Sequence, residues 1–241
     1  MTETAKNKLI VALDVDTVQR ARELFSALRE SAGMFKIGMQ LFTAAGPDIV
    51  REIIKGGGRV FLDLKYHDIP NTVAAAGVEA ARLGVSIFNV HASGGSEMMR
   101  RTADAVTAVS EREGLTRPKI IAVTLLTSAD AGMLAEVGVV NNPQQQVTTL
   151  AQLAAASDLD GVVASPLEVA AIRAAVAREE FLIITPGIRP SGITANDQKR
   201  LMTPAGAIRA GADYLVVGRP IIEASDPTQA AREIIEEIKG L

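Results

Sequence analysis

The chain contains no cysteine and no tryptophan, only two histidines, and 3% aromatic residues in 241 positions. Without cysteine there is no disulfide framework, no thiolate nucleophile and no Cys-ligated metal. Two histidines are too few for a His-rich metal site. So few rings exclude the stacking platform on which single-stranded nucleic acid is held. An excess of positive charge is lacking too. Lys and Arg number 25 against 28 Asp and Glu, a formal net charge of -3, so no basic field invites nucleic acid. No apolar run approaches the ~20 residues that a membrane helix needs. The opening "MTETAKNK" is polar and has no signal-peptide hydrophobic region. A soluble, cytoplasmic protein that binds neither membrane nor nucleic acid is the expectation. Neither a full GxGxxG nor a P-loop sequence occurs, so no nucleotide cofactor is expected.

What is present is a 48% hydrophobic composition, enough for a sizeable core. Short β-branched runs recur along the chain. Strands are expected at "KLIVALDV" (8–15), "MFKIGM" (34–39), "RVFLDLK" (59–65) and "SIFNVHA" (86–92). Four more are expected at "KIIAVTLL" (119–126), "GVVAS" (161–165), "FLIITPGI" (181–188) and "YLVVGRPI" (214–221). Helical patterns lie between them, among them "VQRARELFSALRE", "NTVAAAGVEAARLG" and "PLEVAAIRAAVAREE". Strand–helix alternation implies a parallel sheet with crossover helices, and near-continuous apolar strands imply one covered on both faces. Eight such units predict a (β/α)8 TIM barrel, in one domain over 1–241. A doubly wound open sheet shares the alternation and is the alternative. "AARLGVSIFNV" (80–90) echoes "AIRAGADYLVV" (207–217), each ending a helix, turning through Gly and entering a strand. "NNPQQQ" (141–146) reads as a loop leading into a helix.

Ligands bind at the carboxyl ends of the strands in either fold. Polar residues gather there. The first strand ends with Asp14, the second contains Lys36, the third ends Asp63-Leu64-Lys65, and the fourth ends Asn89-Val90-His91. Residues i and i+2 of a strand share a face, so Asp63 and Lys65 point one way while Leu62 and Leu64 point the other. Asp68 lies three residues past Lys65. Carboxylates on either side of a lysine favour its ammonium form, which donates a proton or clamps an anion and is a poor Schiff-base nucleophile. A structural ion pair is the plainer reading of any one such pair. The clustering of Asp14, Lys36, Asp63, Lys65 and Asp68 at successive strand ends points instead to catalysis.

"TPGIRPSG" (185–192) and "VVGRP" (216–220) form a second constellation. Barrels often bind phosphate with the turns after strands seven and eight. Gly187 and Gly218 let backbone N–H groups approach an anion, and Arg189 and Arg219 add forked donors. The Pro-Ser-Gly run suits a lid, from which Gln198 could reach a ligand. His91 reads as hydrogen-bonded below the site rather than catalytic. His67 reads as structural, and the methionines as packing.

"FLDLKYHDIPNT" closely resembles the signature of the orotidine 5'-phosphate decarboxylase family, Asp-x-Lys-x-x-Asp-Ile-Pro-Asn-Thr, at every position. "ALDV", "FNVHASGG", "AVTLLTS", "TPGIRP" and "VGRPI" match in order, so the resemblance runs from about residue 8 to about 235. The Asp-x-Lys-x-x-Asp core is shared with 3-keto-gulonate-phosphate decarboxylase and hexulose-phosphate synthase, whereas "DIPNT" with "TPGIRP" is more specific. The resemblance implies a homodimeric barrel that decarboxylates orotidine 5'-phosphate to UMP without metal or organic cofactor. It makes Lys65 the proton donor to C6 and sets Asp63 against the substrate carboxylate, with Lys36 in the same charged array near the ribose. It brings Asp68, Ile69 and Thr72 across the dimer interface. Asp14 becomes a ribose ligand, Thr127 a neighbour of the base, and Gln198 a lid residue bridging base and phosphate. Arg219, with Gly218 and Arg189, becomes the phosphate site.

Overall fold

The computed structural model describes residues 2–190 and 202–241. Eight parallel strands close into a barrel in the order β1 to β8, each hydrogen-bonded to the next and β8 to β1. They are β1 (Leu9–Ala12), β2 (Met34–Gly38), β3 (Val60–Tyr66), β4 (Ile87–His91), β5 (Lys119–Val123), β6 (Gly161–Val163), β7 (Leu182–Thr185) and β8 (Tyr214–Val217). The expected (β/α)8 barrel is therefore the fold, and the open-sheet alternative falls.

The two-residue period of a strand divides the apolar residues between two cores. Ile10, Ala12, Met34, Phe61, Ile87, Ile121, Ile184 and Val216 fill the barrel interior. Their neighbours Leu9, Val11, Phe35, Ile37, Leu62, Phe88, Val90, Ile120, Ile183 and Leu215 face the helices in the larger core. Burial on both faces explains why these strands read as unbroken apolar runs.

Several expected strands end early. β1 stops at Ala12 rather than residue 15, β5 at Val123 rather than 126, and β7 at Thr185 rather than 188. β8 stops at Val217, and Arg219–Ile222 forms a helical turn instead. At the mouth the chain leaves the ladder to reach a helix outside the barrel, while its side chains remain apolar. Composition thus runs on past the last paired residue.

Helices carry the start signals the sequence advertises. Thr17 caps Val18–Leu28 by accepting from the Arg20 N–H, and Asn142 with Gln145 forms a reciprocal capping box on Pro143–Ala155. The helix expected across 166–180 is only Val169–Ala175. The Glu168 carboxylate turns back to accept from the Ser165 N–H at 3.0 Å, and Val176 is already extended and buried. In the echoed segments, Gly84 (φ 83°) and Gly211 (φ 106°) both take positive φ where the chain leaves a helix for a strand. A side chain there would be strained, which accounts for the repeated Gly. No helix among the described residues is long and apolar enough to cross a membrane.

Candidate active site

One step above the apolar interior layer, two residues further along each strand, the composition changes. Ala12 is followed on the inner face by Asp14, Met34 by Lys36, Phe61 by Asp63, and Ile87 by Asn89. On the other side, Val123, Val163, Pro186 and Gly218 follow at the same level and line a cavity of about 520 Å³. Half of the floor is thus charged or polar and half is apolar. Asp14, Lys36, Asp63, Lys65, Thr127, Gly187, Arg189 and Arg219 line this cavity as well.

The charged half is a continuous alternation of sign. Lys36 Nζ lies 2.9 Å from Asp14 Oδ1 and 3.1 Å from Asp63 Oδ2, and Lys65 Nζ lies 2.7 Å from Asp63 Oδ1. Asp63 and Lys36 are buried, with only 11% and 10% of their side-chain surface exposed. Burial is the largest influence on each and works against its charge. The neighbours outweigh it: Asp63 and Asp14 hold the Lys36 ammonium above its ordinary pKa. Lys36, Lys65 and the Asn89 amide hold the Asp63 carboxyl below its own. Lys36 and Asp63 are therefore both ionised near neutral pH, though burying either alone would be unfavourable.

Lys65 reaches Asp63 by a route that strand alternation alone does not supply. β3 pairs Leu62 with Phe88 and next Tyr66 with Val90, so three residues on β3 oppose one, Asn89, on β4. Within this bulge Lys65 takes φ 53°, one of two non-glycine residues with positive φ among the described residues. Such a conformation costs ~1–3 kcal/mol and marks functional sites more often than ordinary strands.

The other expectations divide. Leu62 and Leu64 do face the helices. Thr127 is half-buried at the rim, and Arg189 donates from Nη1 to its neighbour's carbonyl, Ile188 O, at 2.9 Å. Asp68, Ile69 and Thr72 are exposed and do not line the cavity. The Asp68 carboxylate accepts from the Ile69 N–H at 2.6 Å, and within one chain Lys65 is paired with Asp63 rather than with Asp68. The expectation of two flanking carboxylates is corrected to that extent: three residues of loop carry Asp68 outward. Gln198 lies outside the described residues. His67 and His91 stack at 5.5 Å between ring centroids and do not line the cavity. Burial first, then the His67 and Lys65 charges, lower the His91 pKa. Among the described residues, no group of three or more His, Asp or Glu side chains is placed to hold a metal ion.

Two neighbours of the site, Glu223 and Gly38, escaped the sequence reading, and a third, Asn89, was noted at its strand end without a role. Glu223 lines the cavity from the turn after β8. A Cβ on Gly38 would stand 3.0 Å from Asp14 Oδ1 and 3.1 Å from Lys36 Nζ, so its bare backbone makes room for that pair. Asn89, fully buried, donates from Nδ2 to Asp63 Oδ1 at 2.7 Å. A polar residue inside the apolar run "IFNVH" was its available signal.

A closed parallel barrel with an ionised array on its floor and two arginines on its final turns is a (β/α)8-barrel enzyme with its site at the C-terminal mouth. Residues 7–234 match the model of the orotidine 5'-phosphate decarboxylase / HUMPS family. The chain is 54% identical over 237 residues to an orotidine 5'-phosphate decarboxylase of Trichlorobacter lovleyi, covering 98% of this chain and 97% of that one. It is 53% identical over 236 residues to one of Geobacter sulfurreducens, covering 98% of each. A crystal structure of orotidine 5'-phosphate decarboxylase from Lactobacillus acidophilus superposes with a TM-score of 0.84 at 38% identity, over 96% of this chain and 99% of that one. The chain belongs to the orotidine 5'-phosphate decarboxylase / HUMPS family.

Proposed function

We propose that the chain decarboxylates orotidine 5'-monophosphate to UMP, without a cofactor, using Lys65 as the proton donor. The observation that carries this reading is the Asp14–Lys36–Asp63–Lys65 alternation on the cavity floor. The names of the relatives support the choice of substrate.

Loss of CO2 from C6 of orotidylate breaks the C6–carboxylate bond and leaves its electron pair in an in-plane sp2 orbital. The pyrimidine π system cannot delocalise that pair, so stabilisation falls to fixed charge. The Lys65 ammonium faces the developing carbanion and then transfers a proton to C6, leaving neutral Lys65, UMP and CO2. Asp63 meets the substrate carboxylate with like charge, and that repulsion is relieved as CO2 departs. Because Asp63 is bound by Lys36, Lys65 and Asn89, it does not swing away from the substrate. Arg219, with Arg189 and the Gly218 backbone, holds the phosphate, and Asp14 and Lys36 hold the ribose. Phosphate binding far from C6 supplies energy for closing the site around the reacting carbon. A second copy of the chain completes each site with Asp68, Ile69 and Thr72. The 67% exposure of Ile69, large for an apolar side chain, supports an interface there.

The test is loss of orotidylate absorbance on adding the protein, with and without EDTA, beside Lys65→Ala. Turnover indifferent to EDTA is expected, with a fall in kcat of about 10²-fold or more in the variant and UMP binding retained. More than about a tenth of wild-type kcat in Lys65→Ala would remove the proton-donor role. Tight UMP binding by the wild type without CO2 release would make the chain a nucleotide-binding barrel instead.

A further inference from the structure

We propose that Asn89 is the positioning residue of the site: its side chain substitutes for the broken β3–β4 ladder and holds Asp63 and Lys65 in register with each other. The inference rests on the reading of Lys65 as proton donor, but its geometry is independent of any ligand.

At the bulge, Lys65 has no ladder partner on β4. Its N–H needs an acceptor, because a buried amide without one costs ~1–3 kcal/mol. Asn89 lies on the facing stretch of β4, between the paired residues Phe88 and Val90. Its Oδ1 accepts the Lys65 N–H at 2.8 Å, and its Nδ2 donates to Asp63 Oδ1 at 2.7 Å. One amide group thus grips the backbone of the lysine and the side chain of the aspartate. That same Asp63 oxygen receives Lys65 Nζ at 2.7 Å.

The residue type follows from these demands. The site needs one acceptor and one donor on the same carbon, on a short side chain that carries no charge. Aspartate would keep the acceptor but set a second carboxylate against Asp63. Leucine would fill the space and satisfy neither group. Asn89 is completely buried, so in the intact protein its amide, not bulk water, meets both groups. Without it, the positive-φ conformation of Lys65 loses the hydrogen bond that offsets its strain, and Nζ moves relative to Asp63. A displacement of about 1 Å at a reacting centre can cost ~10²-fold in rate.

The test compares Asn89→Ala and Asn89→Asp with wild type in three measurements: kcat for orotidylate, affinity for UMP, and hydrogen-exchange protection of the Lys65 amide. For Asn89→Ala, kcat should fall by about 10²-fold, UMP affinity should stay within about threefold, and Lys65 amide protection should collapse. For Asn89→Asp, amide protection should persist while kcat still falls, because the acceptor for the Lys65 N–H is kept while the donor to Asp63 is replaced by a second carboxylate. An Asn89→Ala protein with active wild type as control and kcat within about threefold of it would overturn the proposal. So would an unchanged Lys65 amide in that variant, which reads the geometry whether or not the wild type decarboxylates orotidylate. Loss of the fold in both variants would also overturn it, since a positioning residue leaves the scaffold standing. Inactivity of the wild type with normal Lys65 protection would instead sink the assigned reaction while leaving the clamp in place.

Discussion

Asp63→Asn isolates the central charge of the array while keeping its shape. Asp63 separates two ammoniums, with Lys36 Nζ at 3.1 Å and Lys65 Nζ at 2.7 Å. At an effective dielectric constant near 20, each contact is worth roughly 5–6 kcal/mol of attraction before desolvation is subtracted. Removing one partner of a buried pair costs ~3–5 kcal/mol, because the remaining charge is left buried and uncompensated. Lys36 retains Asp14 at 2.9 Å, and Lys65 is partly exposed, so the lower end applies, about 3 kcal/mol. For a chain of this size that corresponds to a fall in Tm of about 6–12 °C, read by calorimetry at a fixed protein concentration. The pH dependence has a definite sign. Asp63 titrates below the ordinary carboxylate value of about 3.9, so its contribution is complete above that pH and disappears as pH falls through the depressed value. The difference between wild type and variant should be constant from neutral pH down to about pH 4 and should shrink below it. A variant as stable as wild type at neutral pH would refute the claim that the two lysines depend on this carboxylate. A difference that persisted unchanged into strong acid would refute its electrostatic origin.

Arg219→Ala should weaken UMP binding by about 10–100-fold, the worth of a charge-assisted contact to phosphate, and equilibrium titration with UMP would show it. Gly38→Ala sets a methyl group against Asp14 and Lys36, and should raise KM for orotidylate while the fold, followed by circular dichroism, is kept. If a partner subunit supplies Asp68, mixing Lys65→Ala with Asp68→Ala subunits should restore activity through hybrid dimers, and no recovery in verified heterodimers would refute sharing. Asp160→Asn, at the opposite end of the barrel, should lower stability by about 1–3 kcal/mol in urea titration without changing kcat. Its carboxylate accepts from the Ile120 N–H and pairs with Arg117 and Lys119.

The eight-strand alternation was legible because a parallel strand buried on both faces must be apolar at nearly every position, and a run such as "KLIVALDV" has few other uses. The same logic exposed Asp14, Lys36, Asp63 and Lys65, since a charge inside such a run is costly unless something pairs with it. Arg189 and Arg219 were legible from their place on the last two βα turns. The points where pairing stops were not legible, because Leu125 and Ile188 are as apolar beyond the ladder as within it.

By itself, then, the order of residues determined which side chains share the inner face of the barrel, through the two-residue period of a strand. It also determined that acid and base alternate around that face. Only the tertiary structure decided how the alternation closes into contact. Strand register set Gly38 of β2 opposite Asp63 of β3, so that the Lys36 side chain two residues earlier reaches Asp63, and the bulge opposite Asn89 turned Lys65 back onto Asp63. Register and bulges arise from pairing between segments distant along the chain, so local pattern cannot contain them.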